Sequence, residues 1–292
     1  MLIIRPARPP VLLLGALLAL ALGGCQSPQQ RLGELAGQHH QQLQTLDAKP
    51  LPLLSGAPNL QSGVPRLRIY LEGDGHAWAT PSQPSLDPSP RDLLVARLAF
   101  SDPTPSLYLA RPCQFVSAPG CSPRLWTNQR FSADVLRSLD QGLDLIKARY
   151  GNHDFELIGY SGGAALALLL AAQRDDVASV QTLAGNLSPR QWARMQHLSP
   201  LDGSLEPLEY RQRLAQIPQR HLTGAADTVV PAAVVHHYLG ELGAAPCVET
   251  VSLAGVTHDA GWETAWAQWR QAPLKCALSP DPDSRKAAIE HG

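Results

Sequence analysis

The 292-residue chain predicts an α/β domain, a mostly parallel sheet with helices on both faces. Three observations carry that expectation. Short apolar runs alternate with segments of helical period from Arg66 onward. Gly163 to Gln173 is apolar on nearly all sides, so as a helix it must be buried. The runs Leu67–Leu71, Phe155–Tyr160 and Arg220–Thr223 each lead straight into glycine-containing turns.

Composition agrees. Hydrophobic residues make up 44% and charged residues 17%, enough apolar surface for one sizeable core. These proportions exclude a wholly disordered chain, a collagen and a coiled coil. With 24 Lys and Arg against 25 Asp and Glu, and no basic run interleaved with aromatics, nucleic acid is not an expected partner. The 26 prolines point to many stiff loops outside the regular elements.

Taken in order, residues 25–40 are Gln-rich and read as a tether with a short helix near Arg31–Gly37. The domain itself is expected over residues 41–278. Leu43 to Leu54 holds one or two edge strands, weakened by Pro50 and Pro52. Leu67–Leu71 is a strand ending in Glu72-Gly73-Asp74-Gly75. Ser89 then resembles an N-cap, with Pro90 at the first helical position and Leu93, Leu94, Arg97 and Leu98 at helical spacing. Leu107–Ala110 is the next strand. Ser132 caps a long helix with Val135, Leu139, Leu143 and Ile146 on one stripe, ended by Gly151. After Phe155–Tyr160 and the buried helix come strands at Val177–Leu183 and Arg220–Thr223, with a segment around Trp192 and a helix near Leu208–Gln216 between them. Val248–Leu253 is the last strand, Glu263–Arg270 a closing helix, and residues 279–292 a loose polar tail.

The chemistry centres on Gly159-Tyr160-Ser161-Gly162-Gly163, set between a predicted strand and a predicted buried helix. A serine in that strained turn needs small neighbours, and three glycines supply them. Near the start of the following helix, the Gly162 amide would point at an oxyanion with the helix dipole behind it. A serine hydroxyl needs a base oriented by an acid. Asp227, just after the strand Arg220–Thr223, and His258, in the loop after Val248–Leu253, supply them in the order Ser, Asp, His. All three fall at carboxyl ends of strands, where open α/β sheets place their sites. Because a neutral imidazole is needed as base, activity should fall at acid pH.

On these motifs the chain resembles an α/β-hydrolase over roughly Leu43 to Cys276. More narrowly, Tyr70-Leu71-Glu72-Gly73-Asp74-Gly75 with the neighbouring Trp78 resembles a group of bacterial lipoprotein serine hydrolases. Serine at position 161 disfavours the family's Asp- and Cys-nucleophile branches. The resemblance implies a second oxyanion donor in the loop after Leu71. Many members carry His-Gly there, whereas this chain has Glu72-Gly73, which makes the Asp74 amide the expected donor and Gly75 the alternative. Trp78, Trp126, Trp192 and Trp262 are candidates for an apolar pocket, with core packing the competing role. Asp259 is the lesser candidate for the acid, and His76 a candidate pocket residue. The pairs His39-His40 and His236-His237 fit no metal spacing. No phosphate-cradling loop or CxxC pair is present, so neither cofactor nor metal is expected.

Arg5 and Arg8 precede an apolar stretch from Val11 to Ala21, too short for a typical membrane span, and then Leu22-Gly23-Gly24-Cys25. That tetrad resembles the lipobox of bacterial lipoproteins. The resemblance implies a signal peptide over residues 1–24, lipidation of Cys25 and, with Gln26 rather than Asp following, anchoring at the outer membrane facing the periplasm or the exterior. In that oxidising setting Cys113, Cys121, Cys247 and Cys276 allow three pairings. Cys113–Cys121, closing a short loop, and Cys247–Cys276, tying a late strand to the chain's end, are the expected ones.

The sequence therefore points to a lipid-anchored serine hydrolase of a small-molecule acyl substrate, a carboxylic ester by family analogy. The competing readings are a non-catalytic envelope protein that uses the fold for binding, and an acyltransferase with the same three residues.

Overall fold

Alternation at period two gives each inner strand two buried faces. In Leu67–Leu71 the side chains of Leu67, Ile69 and Leu71 enter one apolar cluster and Tyr70 the other. Phe155 and Leu157 likewise oppose Ile158, and Leu107 and Leu109 oppose Tyr108. A sheet apolar on both sides needs helices on both sides.

The computed structural model describes residues 26–276 and supplies that arrangement. In chain order its elements are α1 (Pro28–Gln38), β1 (Gln42–Leu46), β2 (Leu53–Ala57), β3 (Arg66–Leu71), the small hairpin β4 (Trp78–Thr80) and β5 (Gln83–Pro84), α2 (Leu94–Phe100), β6 (Ser106–Leu109) and α3 (Ala133–Tyr150). Then follow β7 (Asp154–Tyr160), α4 (Gly162–Gln173), β8 (Val177–Leu183), α5 (Pro189–Met195), α6 (Arg211–Leu214), β9 (Gln219–Gly224), α7 (Ala232–Leu242), β10 (Val248–Leu253) and α8 (Trp262–Trp269). Eight strands form one sheet in the order β1-β2-β6-β3-β7-β8-β9-β10. β1 and β2 are antiparallel, and from β6 to β10 every pairing is parallel. Buried side chains of α3, α4 and α7 fill one face, and those of α1, α2 and α8 the other. Among the described residues no helix is long and apolar enough to cross a membrane.

Several expectations need correction. The expected tether is largely a docked helix. Ser27 and Gln30 form a capping box with Pro28 in the first turn, and Leu32 and Ala36 are buried against the α2 side of the sheet. Ser89 does not cap a helix: its hydroxyl accepts from the Phe115 amide at 2.7 Å, and α2 starts at Leu94. The helix expected near Leu208–Gln216 is a 3₁₀ turn, Pro207–Tyr210, followed by the single turn of α6. By contrast, Ser132 caps α3 and Gly151 ends it at φ 63°. Both expected disulfides, Cys113–Cys121 and Cys247–Cys276, are present. The signal segment 1–24, Cys25 and the tail 279–292 lie outside the described residues.

Candidate active site

Parallel strands bring their carboxyl ends to one edge of the sheet. There β7 delivers Ser161, β9 is followed by Asp227 and β10 by His258. Ser161 sits at φ 51° and ψ −120°, a backbone conformation that L residues rarely adopt. The turn is held by the Ser161 amide donating to the Leu183 carbonyl at 3.0 Å. It closes only because its neighbours lack side chains. A Cβ on Gly159 would lie 2.5 Å from Ala164 Cα, and one on Gly163 would lie 2.5 Å from the Leu71 carbonyl oxygen. Although Ser161 occupies the N-cap position of α4, its hydroxyl makes no capping bond.

That hydroxyl turns to His258 instead, with Oγ 3.1 Å from Nε2. Nδ1 of the same ring is 2.8 Å from Asp227 Oδ2. Asp227 is buried, and its other oxygen accepts from the amides of Val229 and Val230 at 2.8 and 2.9 Å. With both oxygens in use, the carboxylate is fixed facing the imidazole. Asp259, the lesser candidate for the acid, instead lies with Oδ1 3.2 Å from the Tyr160 hydroxyl oxygen.

Tyr160, passed over in the sequence, and Trp262, expected in a pocket wall or the core, fix the His258 loop. The Tyr160 hydroxyl and the Trp262 indole N–H both donate to the His258 carbonyl, at 2.9 and 2.8 Å. The Tyr160 ring also packs on the imidazole with centroids 5.4 Å apart. Burial, with Asp259 and Glu72 nearby, pushes the Tyr160 phenol up, which keeps it a donor. Trp262 is fully buried beneath the loop, so it is a core residue and not part of a pocket wall. The local signals were faint: Tyr160 is the variable position before the serine, and Trp262 follows His258 by four residues.

The loop after β3 lies on the other side of Ser161. Gln114 Nε2 donates to the Gly73 carbonyl at 3.0 Å, and Glu72 accepts from the Gly73 amide at 2.9 Å and from the Tyr108 hydroxyl at 2.8 Å. Asp74 turns its carboxylate to two buried arginines, Arg111 and, at 2.5 Å, Arg130. Burial alone would push that carboxyl up, but Arg130 and Arg111 together hold it below the usual carboxylate range. The negative charge of Asp74 beside Gly162 is thereby balanced within the protein. A Cβ on Gly162 would collide with the Asp74 carboxylate, so that glycine is required by packing. Among the described residues the backbone N–H groups of Gly162 and Asp74 donate to no protein acceptor.

Glu72 is buried without a cation in contact. Burial pushes its carboxyl up from 4.5 to about 7, against the opposing pull of the Tyr108 hydroxyl and Gly73 amide. The folded protein therefore holds a proton that the unfolded chain has already released. The associated stability is fully present below pH 4.5 and is lost as pH rises through about 7. Glu72→Gln keeps an acceptor for Gly73 and cannot ionise. Urea unfolding should show the variant gaining on wild type by about 3 kcal/mol between pH 4.5 and 8. A difference that does not change with pH would contradict the assignment.

A cavity of ≈520 Å³ opens over these groups, with Ser161, His258, His76, Asn186, Trp192 and Val230 in its wall. Of the expected pocket tryptophans only Trp192 lines it, and its indole N–H also donates to the Val229 carbonyl at 2.7 Å, tying α5 to the Asp227 loop. Trp126 is instead buried with Leu51, Ala77 and Cys113, donating to the Ser85 carbonyl. Trp78 stands on the β4–β5 hairpin, 41% exposed and outside the wall.

These features define the α/β-hydrolase fold. No protein-family model matches this chain, and no curated protein matches it in sequence. Solved structures do match in fold. The Pyrococcus furiosus esterase Pf2001 superposes with a TM-score of 0.58 at 14% identity, over 85% of this chain and 93% of that one. A cold-adapted esterase from an Arctic intertidal metagenomic library gives a TM-score of 0.52 at 17% identity, covering 80% and 94%. An alpha-beta serine hydrolase homologue from Coxiella burnetii gives 0.50 at 16%, covering 79% and 94%.

Proposed function

We propose that the protein is a serine hydrolase that cleaves a carboxylic ester of a small molecule through an acyl-enzyme on Ser161. The observation that carries this reading is the hydrogen-bond chain Asp227–His258–Ser161, at 2.8 and 3.1 Å, ending on a serine in a strained turn. Ser161 Oγ adds to the carbonyl carbon while its proton passes to His258 Nε2. Asp227 holds Nδ1–H and stabilises the imidazolium. The oxyanion takes the free N–H groups of Gly162 and Asp74, each such donor being worth about 10²–10³ in kcat. Collapse expels the alcohol, which carries away the Nε2 proton, and water repeats the sequence to release the acid.

Tyr160 and Trp262 act as positioning residues by fixing the His258 backbone. Tyr160→Phe removes one of the two donors, so kcat should fall about 10-fold while KM stays near wild type. Unchanged kcat would remove Tyr160 from that role. The reading as a whole is tested with purified protein lacking residues 1–24 on 4-nitrophenyl acetate and butyrate, with products resolved in the presence and absence of methanol. Free acid from wild type and none above background from Ser161→Ala is the expected result; turnover by Ser161→Ala would overturn it.

Lipid anchoring at the bacterial outer membrane belongs to the same proposal. It rests on the lipobox-like Leu22–Cys25 and is supported by the two disulfides, which suit an oxidising compartment. Cells fed a labelled fatty acid should label the full-length protein and not Cys25→Ala; a full-length protein without label would exclude the anchor.

A further inference from the structure

The sheet order sets two different neighbours beside Ser161. On the β3 side lie Glu72 to Asp74 with their backbone donors; on the β8 side lies Asn186. The turn after β8 passes through Ala184 at φ 48° and brings the Asn186 amide onto the Ser161 carbonyl at 3.0 Å. Asn186 is 2% exposed, yet it forms part of the cavity wall. Its Oδ1 is buried and has no hydrogen-bond partner. Buried polar atoms in native proteins are nearly always satisfied, so an unmet acceptor beside a nucleophile needs an explanation.

The surroundings narrow that explanation. The wall that includes Asn186 also holds the apolar side chains of Trp192, Val229, Val230 and Leu94. Of the charged groups of the wall, Asp74 is answered by Arg111 and Arg130 and Asp92 by Arg97, while Arg91 is turned to solvent. A carboxamide is neutral and carries a donor and an acceptor at its two ends. An anionic or cationic ligand would match only one end. A hydroxyl serves whichever end it meets and suits the apolar remainder of the wall.

We propose that Asn186 is a specificity-determining residue that hydrogen-bonds a hydroxyl on the acyl group, within two carbons of the scissile carbonyl, making short hydroxyacyl esters the favoured substrates. This rests on the serine-hydrolase reading above. A buried carboxamide beside an apolar wall penalises the deoxy analogue, which leaves it unmet.

The test compares ethyl lactate with ethyl propionate, and ethyl 3-hydroxybutyrate with ethyl butyrate, by titrating the acid released. Wild type should prefer the hydroxylated member of at least one pair by about 10-fold or more in kcat/KM. In Asn186→Ala and Asn186→Leu, checked for folding by circular dichroism, that ratio should fall close to one. A wild type that reacts with a fluorophosphonate but shows no hydroxyl preference overturns this inference alone, as does a preference that both variants retain. A folded wild type that does not react with the fluorophosphonate overturns the serine-hydrolase reading and this inference with it.

Discussion

Replacing Ser161 by alanine is expected to lower kcat on any ester about 10⁴–10⁶-fold while moving the melting temperature by no more than a few degrees. The Ser161 hydroxyl does not cap α4, and its partner in the structure is His258 Nε2. Alanine keeps the Cβ and meets the same backbone strain at φ 51°, so the fold loses little. Because nucleophile and base act as a unit, His258→Ala should cost about as much, and the double variant hardly more. Asp227→Asn should cost about 10⁴-fold, since an amide facing Nδ1 favours the wrong tautomer. Rates of the wild type and variants on one chromogenic ester, each corrected for background, decide the matter. Retention of a tenth of the activity by either Ser161→Ala or His258→Ala would be incompatible with these roles.

The second large effect is on stability. Arg220→Met should lower stability by about 3–5 kcal/mol, because it breaks a buried charge pair from one side. The Arg220 side chain is wholly inaccessible. It pairs with Glu249 at 2.7 Å, meets Gln181 Oε1 at 3.0 Å, and donates to the carbonyls of Trp269, Ala272 and Pro273 at 3.2, 2.9 and 2.6 Å. One guanidinium thus joins β8, β9, β10 and the segment after α8, a few residues before Cys276. Methionine fills similar space but leaves Glu249 without its cation, and Gln181 Oε1 and three carbonyls without the guanidinium donor. For a domain of this size the melting temperature should drop by about 6–20 °C. Thermal unfolding followed by circular dichroism reads this directly, and a shift under about 2 °C would show that the network contributes little. Activity should fall with it as α8 loosens, since Trp262 at its start holds the His258 carbonyl.

What could be read from the sequence was local. β3, β7, β8, β9 and β10 announce themselves as apolar runs, and the elbow glycines follow one of them directly. Asp227 and His258 were legible because each comes within a few residues of a strand end, where topology fixes its neighbours. The Ser27–Gln30 capping box was equally local, but the Gln-rich composition around it read as tether. α7 carries Val234, Val235, Tyr238 and Leu242 at helical spacing, with His236-His237 interrupting the apolar signal. The arginines that neutralise Asp74 had no comparable signature. Arg111 is 37 residues from it and Arg130 is 56, and both reach it only through the packing of long loops. The same applies to Glu72, whose raised proton affinity comes from burial against Tyr108 on a neighbouring strand. Trp126 went the other way: its loop position suggested a pocket, and the packing of the 76–90 segment on the Cys113–Cys121 loop made it core.

The most direct test of the central claim is reaction of purified protein lacking residues 1–24 with a fluorophosphonate, read by intact mass and peptide mapping. An activated serine predicts one adduct per chain, on the peptide carrying Ser161, absent in Ser161→Ala and strongly slowed in His258→Ala. A folded wild-type protein that gains no mass would contradict the account and leave the fold serving a binding role.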